Sequence, residues 1–273
     1  MKRILVASDF SACSGNALAY ALNLAKTLQF EVTVIHAISS TEGINNNTYD
    51  AIYIEDYYKR KREGLADWVK LYSSKDKFKT IPVSTLCEVG SLALVVKKYI
   101  EQNPVEFLVM GTMGSSGISG LFGTNTQMMV EKTKIPTLII PLETRFSKKS
   151  IITLATDFTS KLSKKDLTGI KELISVMGSK KLNILNIVAG PDWKKNDLGE
   201  TQWKKLLPKI KLDFKYLQET NTLGGIINFI LSSHTDIICL VKHHHNIAYR
   251  LFNKSTVNQV LVSPIKAVLV LHE

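Results

Sequence analysis

Cysteine is scarce in this chain: Cys13, Cys87 and Cys239 are the only three in 273 residues, an odd number with no C-x-x-C pair. That excludes a disulfide framework and a cysteine-based metal or redox motif, and it fits thiols kept in a reducing compartment. No apolar run approaches the roughly 20 residues a membrane-spanning helix needs. The opening MKRILVASD meets an acid too early to supply a signal-peptide core. A cytoplasmic protein with no membrane partner is expected. Catalytic signatures are missing as well: there is no G-x-S-x-G elbow, no H-E-x-x-H, no H-x-G-H and no K-M-S-K-S, and no Lys-[ST] closes the glycine-rich stretch. The chain reads as a binding protein rather than an enzyme.

Positive charge is what the sequence has in excess. The net charge is +11, with 16 basic and 14 acidic residues up to Phe146 and 19 basic against 10 acidic from Ser147 onward. Basic surface attracts nucleic acid. Here, however, the lysines fall in scattered pairs (Lys148-Lys149, Lys164-Lys165, Lys180-Lys181, Lys194-Lys195, Lys204-Lys205) without the interleaved aromatics of a stacking platform. A solvated basic face is the expectation, not a nucleic-acid partner.

Between Val109 and Asn125 the chain reads VMGTMGSSGISGLFGTN, glycine-rich, after an apolar run and before a helix-like segment. Gly111, Gly114 and Gly123 have no Cβ, so backbone N–H groups can approach an anion, and a helix starting near Thr124 adds its positive end. A mobile connection would look similar from composition alone.

The chain also repeats itself. Residues 2–11 (KRILVASDFS) return as 150–159 (SIITLATDFT), with Asp9 matching Asp157 and Phe10 matching Phe158, and 134–140 (KIPTLII) returns as 264–270 (PIKAVLV). The first match is offset by 148 positions and the last by 130, so the second copy is about 18 residues shorter, mostly around 42–79. Two domains follow, 1–144 and 147–273, joined at the polar stretch 143–149. In the first, short apolar runs at 4–8, 32–38, 81–86, 107–110 and 137–140 read as strands, and 12–28, 49–72, 92–102 and 124–132 have helical spacing. Strand runs recur at 151–155, 182–188, 212–217, 237–241 and 267–271. Strand then helix, repeated, predicts α/β parallel sheets with helices on both faces. Ligands of such sheets sit at the carboxyl ends of the strands, where Asp9 and Gly111 fall.

An Asp9-Phe10-Ser11 after the first strand, a second strand ending His36-Ala37-Ile38, a strand ending Met110-Gly111, then G-x-x-G, a later Gly123-Thr124 and a proline-bearing final strand together resemble the universal stress protein family in its tandem form. The resemblance implies two tandem open, Rossmann-like, five-stranded parallel sheets in the order 3-2-1-4-5. It also implies an adenine nucleotide, ATP, with any Mg²⁺, at Ala7, Ser8, Asp9, Ala37, Met110, Gly111, Gly114, Gly123, Thr124 and Asn125. Asp9 and the Ala37 backbone would lie by the adenine and ribose, and Gly114, Gly123, Thr124 and Asn125 would hold the phosphates and metal. Read from the residues alone, Asp9 could instead cap the helix at 11–12.

Departures from the family pattern matter. The family's G-x2-G-x9-G-[ST] has nine residues before the last glycine, whereas only eight separate Gly114 from Gly123. In the second copy, Val241, His244, Asn253 and Lys254 stand where the first has Gly111, Gly114, Gly123 and Thr124, which marks residues 147–273 as a degenerate domain without a phosphate cradle. His243, His244 and His245 are adjacent, so they point different ways and suit loop histidines, or an anion contact with Lys242 and Arg250, better than a metal site. The expected function is a regulatory, non-catalytic stress-response protein that binds ATP in its first domain. A nucleotide-independent interaction scaffold and a weak ATPase are the alternatives. Final strands at 137–140 and 267–271 are expected to pair the domains within one molecule, or two chains as a homodimer.

Overall fold

The computed structural model describes residues 1–39, 42, 51–112, 124–158, 162–178, 180–188, 194–242 and 266–272. The first strand, β1 (Arg3–Ala7), is apolar after its first residue and buried along its length, the pattern of a central parallel strand covered on both faces. It pairs in parallel with β2 (Glu31–Ile38) and β4 (Val105–Gly111). Outside these lie β3 (Val83–Val89) and β5 (Thr137–Ile140). In the second half, β6 (Ile152–Ala155) is central, flanked by β7 (Lys181–Val188) and β9 (Ile237–Lys242), with β8 (Lys211–Gln218) and β10 (Ala267–His272) outside them.

The two halves are not separate sheets. Strand β10 runs antiparallel to β5, pairing Val268 with Ile139, Leu269 with Leu138 and Val270 with Thr137. One ten-stranded sheet results, in the order β3-β2-β1-β4-β5-β10-β9-β6-β7-β8. Each half keeps the 3-2-1-4-5 order, so the α/β expectation stands and is refined by the seam. Both partners at the seam are buried apolar strands, which is why an open edge there would be unfavourable in water.

Helix α1 (Ala12–Leu28) starts where the Ser11 hydroxyl accepts the Ser14 N–H and stops at Gln29, which adopts φ 58° and returns its N–H to the Ala25 carbonyl. It buries Leu18, Ala21, Leu22 and Ala25. Helices α2 (Ala51–Ser73), α3 (Leu92–Gln102) and α4 (Thr124–Lys132) complete the first half, and α5 (Thr168–Val176), α6 (Asp197–Leu206) and α7 (Thr222–Ser232) the second. One apolar core runs on a single face through both halves, from Ile4 and Leu22 to Ile170, Leu182 and Trp203. On the opposite face Val130 of α4 packs with Ile226 of α7 and Val268 of β10.

Strand β3 begins at Val83, two residues later than the apolar run suggests. The Ile81 N–H is taken by the Phe78 carbonyl in a turn, and Pro82 has no N–H to give. At the far edge, Lys181 and Lys215 both pair with Asp213, placing charge along β8 where another strand would otherwise dock.

Candidate functional site

Strands β1 and β4 are neighbours, so the turn after β1 and the glycine-bearing end of β4 meet at one sheet edge. Ala7 is the last residue of β1 and is buried, as is Ser8. The Ser8 hydroxyl accepts the Phe10 N–H at 3.1 Å, and Asp9 Oδ1 accepts the Ser11 N–H at 3.0 Å. Asp9 therefore forms an Asx turn, and the cap of α1 is Ser11, whose Oγ accepts the Ser14 N–H at 3.1 Å. The reading of Asp9 as the helix cap is corrected accordingly. Two hydroxyls and a carboxylate share the work of turning the chain, and Phe10 is held at φ 64°, a left-handed conformation uncommon for a bulky residue.

Phe10 lies over His36 with ring centroids 4.6 Å apart and meets Trp68 of α2 edge-on at 5.8 Å. His36 Nδ1 donates to the Ser8 carbonyl at 2.8 Å, which fixes the ring proton on Nδ1 and leaves Nε2 as an acceptor. That Nε2 is buried and has no hydrogen-bond partner among the described residues. Ala37 follows on β2, half-buried and in register with Glu88 of β3.

At the end of β4, Met110 is buried and Gly111 half-buried. A methyl group on Gly111 would stand 2.8 Å from Cys13 Sγ, 3.0 Å from the Cys13 carbonyl carbon and 3.1 Å from its oxygen. The missing side chain thus lets the first turn of α1 lie directly on the strand, a packing cause for this glycine that the sequence reading assigned to ligand approach. The Gly111 carbonyl accepts from the Thr126 hydroxyl at 3.0 Å, tying β4 to the first turn of α4. Thr124 opens α4 and Asn125 is exposed beside it. Gly114 and Gly123 lie outside the described residues, as do His243, His244, His245, Arg250, Asn253 and Lys254.

Two helices therefore begin at this edge, α1 and α4, and neither carries an acidic residue in its first turn. Their dipoles put partial positive charge at this edge, and at α1 the Asp9 carboxylate, bonded to the Ser11 N–H, already faces it. The sequence reading named Asp9, Ala37 and Gly111, which lie at or next to strand ends here. It gave no role to Cys13, Thr126 or the His36 ring, although the His-Ala-Ile strand ending was a signal.

The second half reproduces the turn with other atoms. Thr156 Oγ1 accepts the Phe158 N–H at 3.0 Å, Asn186 Nδ2 donates to the Thr156 carbonyl at 2.7 Å in the place of His36, and Phe158 takes φ 63°. Asp157 is exposed, whereas the Phe158 ring is buried against α6, where a methyl on Gly199 would stand 2.6 Å from it. Lys242 does not wait for an anion: its ammonium donates to the Val130 and Glu131 carbonyls in the last turn of α4, at 2.9 Å each. Among the described residues no group of three His, Cys, Asp or Glu could hold a metal ion. None of the described helices is long and apolar enough to cross a membrane.

With the geometry in place, comparisons with known proteins bear on it. Residues 1–141 match the profile of the Universal stress protein family. Universal stress protein YxiE of Bacillus subtilis (strain 168) is 27% identical over 147 residues, which span 50% of this chain and 97% of that protein. The crystal structure of a universal stress protein from Archaeoglobus fulgidus DSM 4304 superposes with a TM-score of 0.73 at 18% identity, covering 98% of this chain and 97% of that one. A functionally unknown protein from Pseudomonas aeruginosa PAO1 superposes with a TM-score of 0.52 at 12% identity, covering 99% and 92%. At such identities the two structures speak to the fold alone.

Proposed function

The chain belongs to the universal stress protein family, whose profile spans just over half of it, and on that premise we propose that it binds ATP, with any Mg²⁺, at the carboxyl edge of its first five strands and acts as a regulatory cytoplasmic protein rather than an enzyme. The observation that carries this reading is the meeting of the starts of α1 and α4, both free of acidic residues in the first turn, at the ends of the adjacent strands β1 and β4. Ala7, Ser8, Asp9 and Ala37 would border the base and ribose. Met110, Gly111, Gly114, Gly123, Thr124 and Asn125 would border the phosphates. The working units are 1–144 and 147–273, with the second lacking a phosphate cradle because Val241 fills the Gly111 position. Bound nucleotide would change how the first unit presents itself to a partner, a second copy of the chain included.

Calorimetry with ATP and with AMP at fixed Mg²⁺ and salt tests this. Saturable one-to-one binding is expected, abolished by Gly114→Val and weakened about tenfold by Asp9→Ala, the effect of losing one charge-assisted hydrogen bond. Absence of binding by the wild-type protein would mean that the eight-residue spacing has closed the cradle, and the nucleotide-independent scaffold would take its place.

A further inference from the structure

Where the two halves join, a cleft of about 210 Å³ opens between α1, the connecting segment and the residues that lead into β9 and β10, lined among others by Tyr20, Glu143, Arg145, Ser150, Asp236 and Lys266. It is a feature of the connection, because the 141–150 segment that forms one wall exists only between the halves. That wall is held in place: Asn16 Nδ2 donates to the Pro141 and Thr144 carbonyls at 2.8 and 2.9 Å, and Asn16 Oδ1 accepts from Arg145 at 2.8 Å. Across the cleft, Asp236 Oδ2 accepts the Ile151 N–H at 3.0 Å and Oδ1 pairs with Lys266 at 3.3 Å.

Two hydroxyls in this cleft have no hydrogen-bond partner among the described residues: those of Tyr20, only 2% exposed, and Ser150, only 4% exposed. Both residues line the cleft. A buried hydroxyl without a partner costs roughly 1–3 kcal/mol, which a bound polar molecule would recover. At the rim, Glu143 and Arg145 are exposed and opposite in charge; Arg145 donates to Asn16 Oδ1 and to the Leu142 and Thr144 carbonyls, and neither residue makes an ion pair with another described residue.

We propose that this cleft binds a small zwitterion of the amino-acid class, its ammonium facing Glu143 and its carboxylate facing Arg145, with the Tyr20 and Ser150 hydroxyls meeting its polar atoms. Opposite unpaired charges on one rim select a molecule that carries both signs, because a lone anion or cation meets a like charge as well as an opposite one. The volume exceeds what a single water needs and suits a molecule of a few heavy atoms beyond the charged groups. Such a ligand would touch α1 of the first half and the strand entries of the second, so binding would also hold the two halves together. The site does not depend on the nucleotide reading. It lies two turns along α1 from Cys13, and its ligand carries no phosphate.

Calorimetry and thermal unfolding of the full chain with L-glutamine and with glycine betaine, beside acetate and methylammonium as single-charge controls, test the proposal. Saturable binding of at least one zwitterion is expected, together with a rise in the unfolding midpoint and weaker or absent binding of the controls. Tyr20→Phe, which deletes one oxygen and leaves the packing, is expected to weaken it about fivefold, and Glu143→Gln about as much. Glu143 is exposed and unpaired, so its variant folds even where Tyr20→Phe does not. No heat and no midpoint shift with either zwitterion at millimolar concentration would overturn the proposal. So would binding that survives both substitutions, or binding in which acetate or methylammonium matches the zwitterions.

Discussion

Gly111 shows how a residue can be legible in identity and not in cause. In the sequence it heads a glycine-rich stretch and reads as part of an anion cradle. In the fold the space its side chain would take is occupied by Cys13, backbone included. Gly111→Ala is therefore expected to destabilise the protein without any nucleotide present, by about 1–3 kcal/mol, as overpacking does. Urea unfolding of the apo protein measures it. Because the contact involves the Cys13 carbonyl at 3.0 and 3.1 Å as well as Sγ, adding Cys13→Ala is expected to restore only part of the loss. Full restoration would place the conflict in the sulfur alone. A fall in ATP affinity on replacing Gly111 is thus no evidence of ligand contact until stability has been measured. The positive φ of Phe10 was invisible for a related reason. The Asp-Phe pair recurs in the repeat, but the left-handed turn is imposed by the Ser8 hydroxyl, the Asp9 carboxylate and the aromatic packing around it, which no single-residue preference encodes.

Helices α1, α3 and α4 were legible to the residue and most strands to within one or two, whereas the helices of the second half were expected without bounds; apolar runs of four to eight and 3.6-residue spacing are direct consequences of burial on two faces and on one. What periodicity could not carry was the way elements lean on one another. Helix α5 begins at Thr168, and buried Val241 stands at the end of β9 in the place of Gly111. Phe10 and Phe158 occupy equivalent turns, yet Phe10 is half-buried under Trp68 while Phe158 is sealed against α6 at Gly199. Phe158→Ala is expected to cost about 3–5 kcal/mol and Phe10→Ala distinctly less. Comparable losses in parallel denaturation curves would mean that the two turns are packed alike. The end of α4 gives a second test. Lys242 reaches from β9 to its last carbonyls, a cation at the negative end of a helix. Lys242→Met keeps the aliphatic stem and is expected to cost about 1 kcal/mol, with hydrogen exchange rising first at the C-terminal turn of α4. Unchanged exchange there would remove the cap from the account.

At the scale of the whole molecule, the repeat announced two similar units, and the pairing of their final strands was an expectation drawn from resemblance. The seam itself depends on β5 and β10 meeting across a long sequence separation, which local pattern does not report. Its chemistry gives the molecule a pH dependence. His272, the last residue of β10, is paired in register with Lys242, its Nε2 is buried without a hydrogen-bond partner among the described residues, and its pKa is lowered to about 4, first by burial and then by the Lys242 charge. The unfolded chain takes up this proton near pH 6.5 and the folded chain only near 4. Between those values the unfolded state binds more protons, so stability falls as pH drops through that window and is fully present above it. The separation corresponds to about 3 kcal/mol at most. Glu42, Glu200 and Asp213 also lose stabilisation on acidification, because their pKa values are lowered, but only below the ordinary carboxylate range. The two contributions separate by window. Unfolding free energies of the wild-type protein are expected to fall between pH 6.5 and 4.5, and those of His272→Phe to stay nearly level there and fall only below it. Lys242→Met removes the second cause of the shift, so its loss should end at a higher pH and be smaller. A His272→Phe profile parallel to the wild type would show that the seam histidine is already protonated in the folded protein, and that the acid sensitivity belongs to the carboxylates.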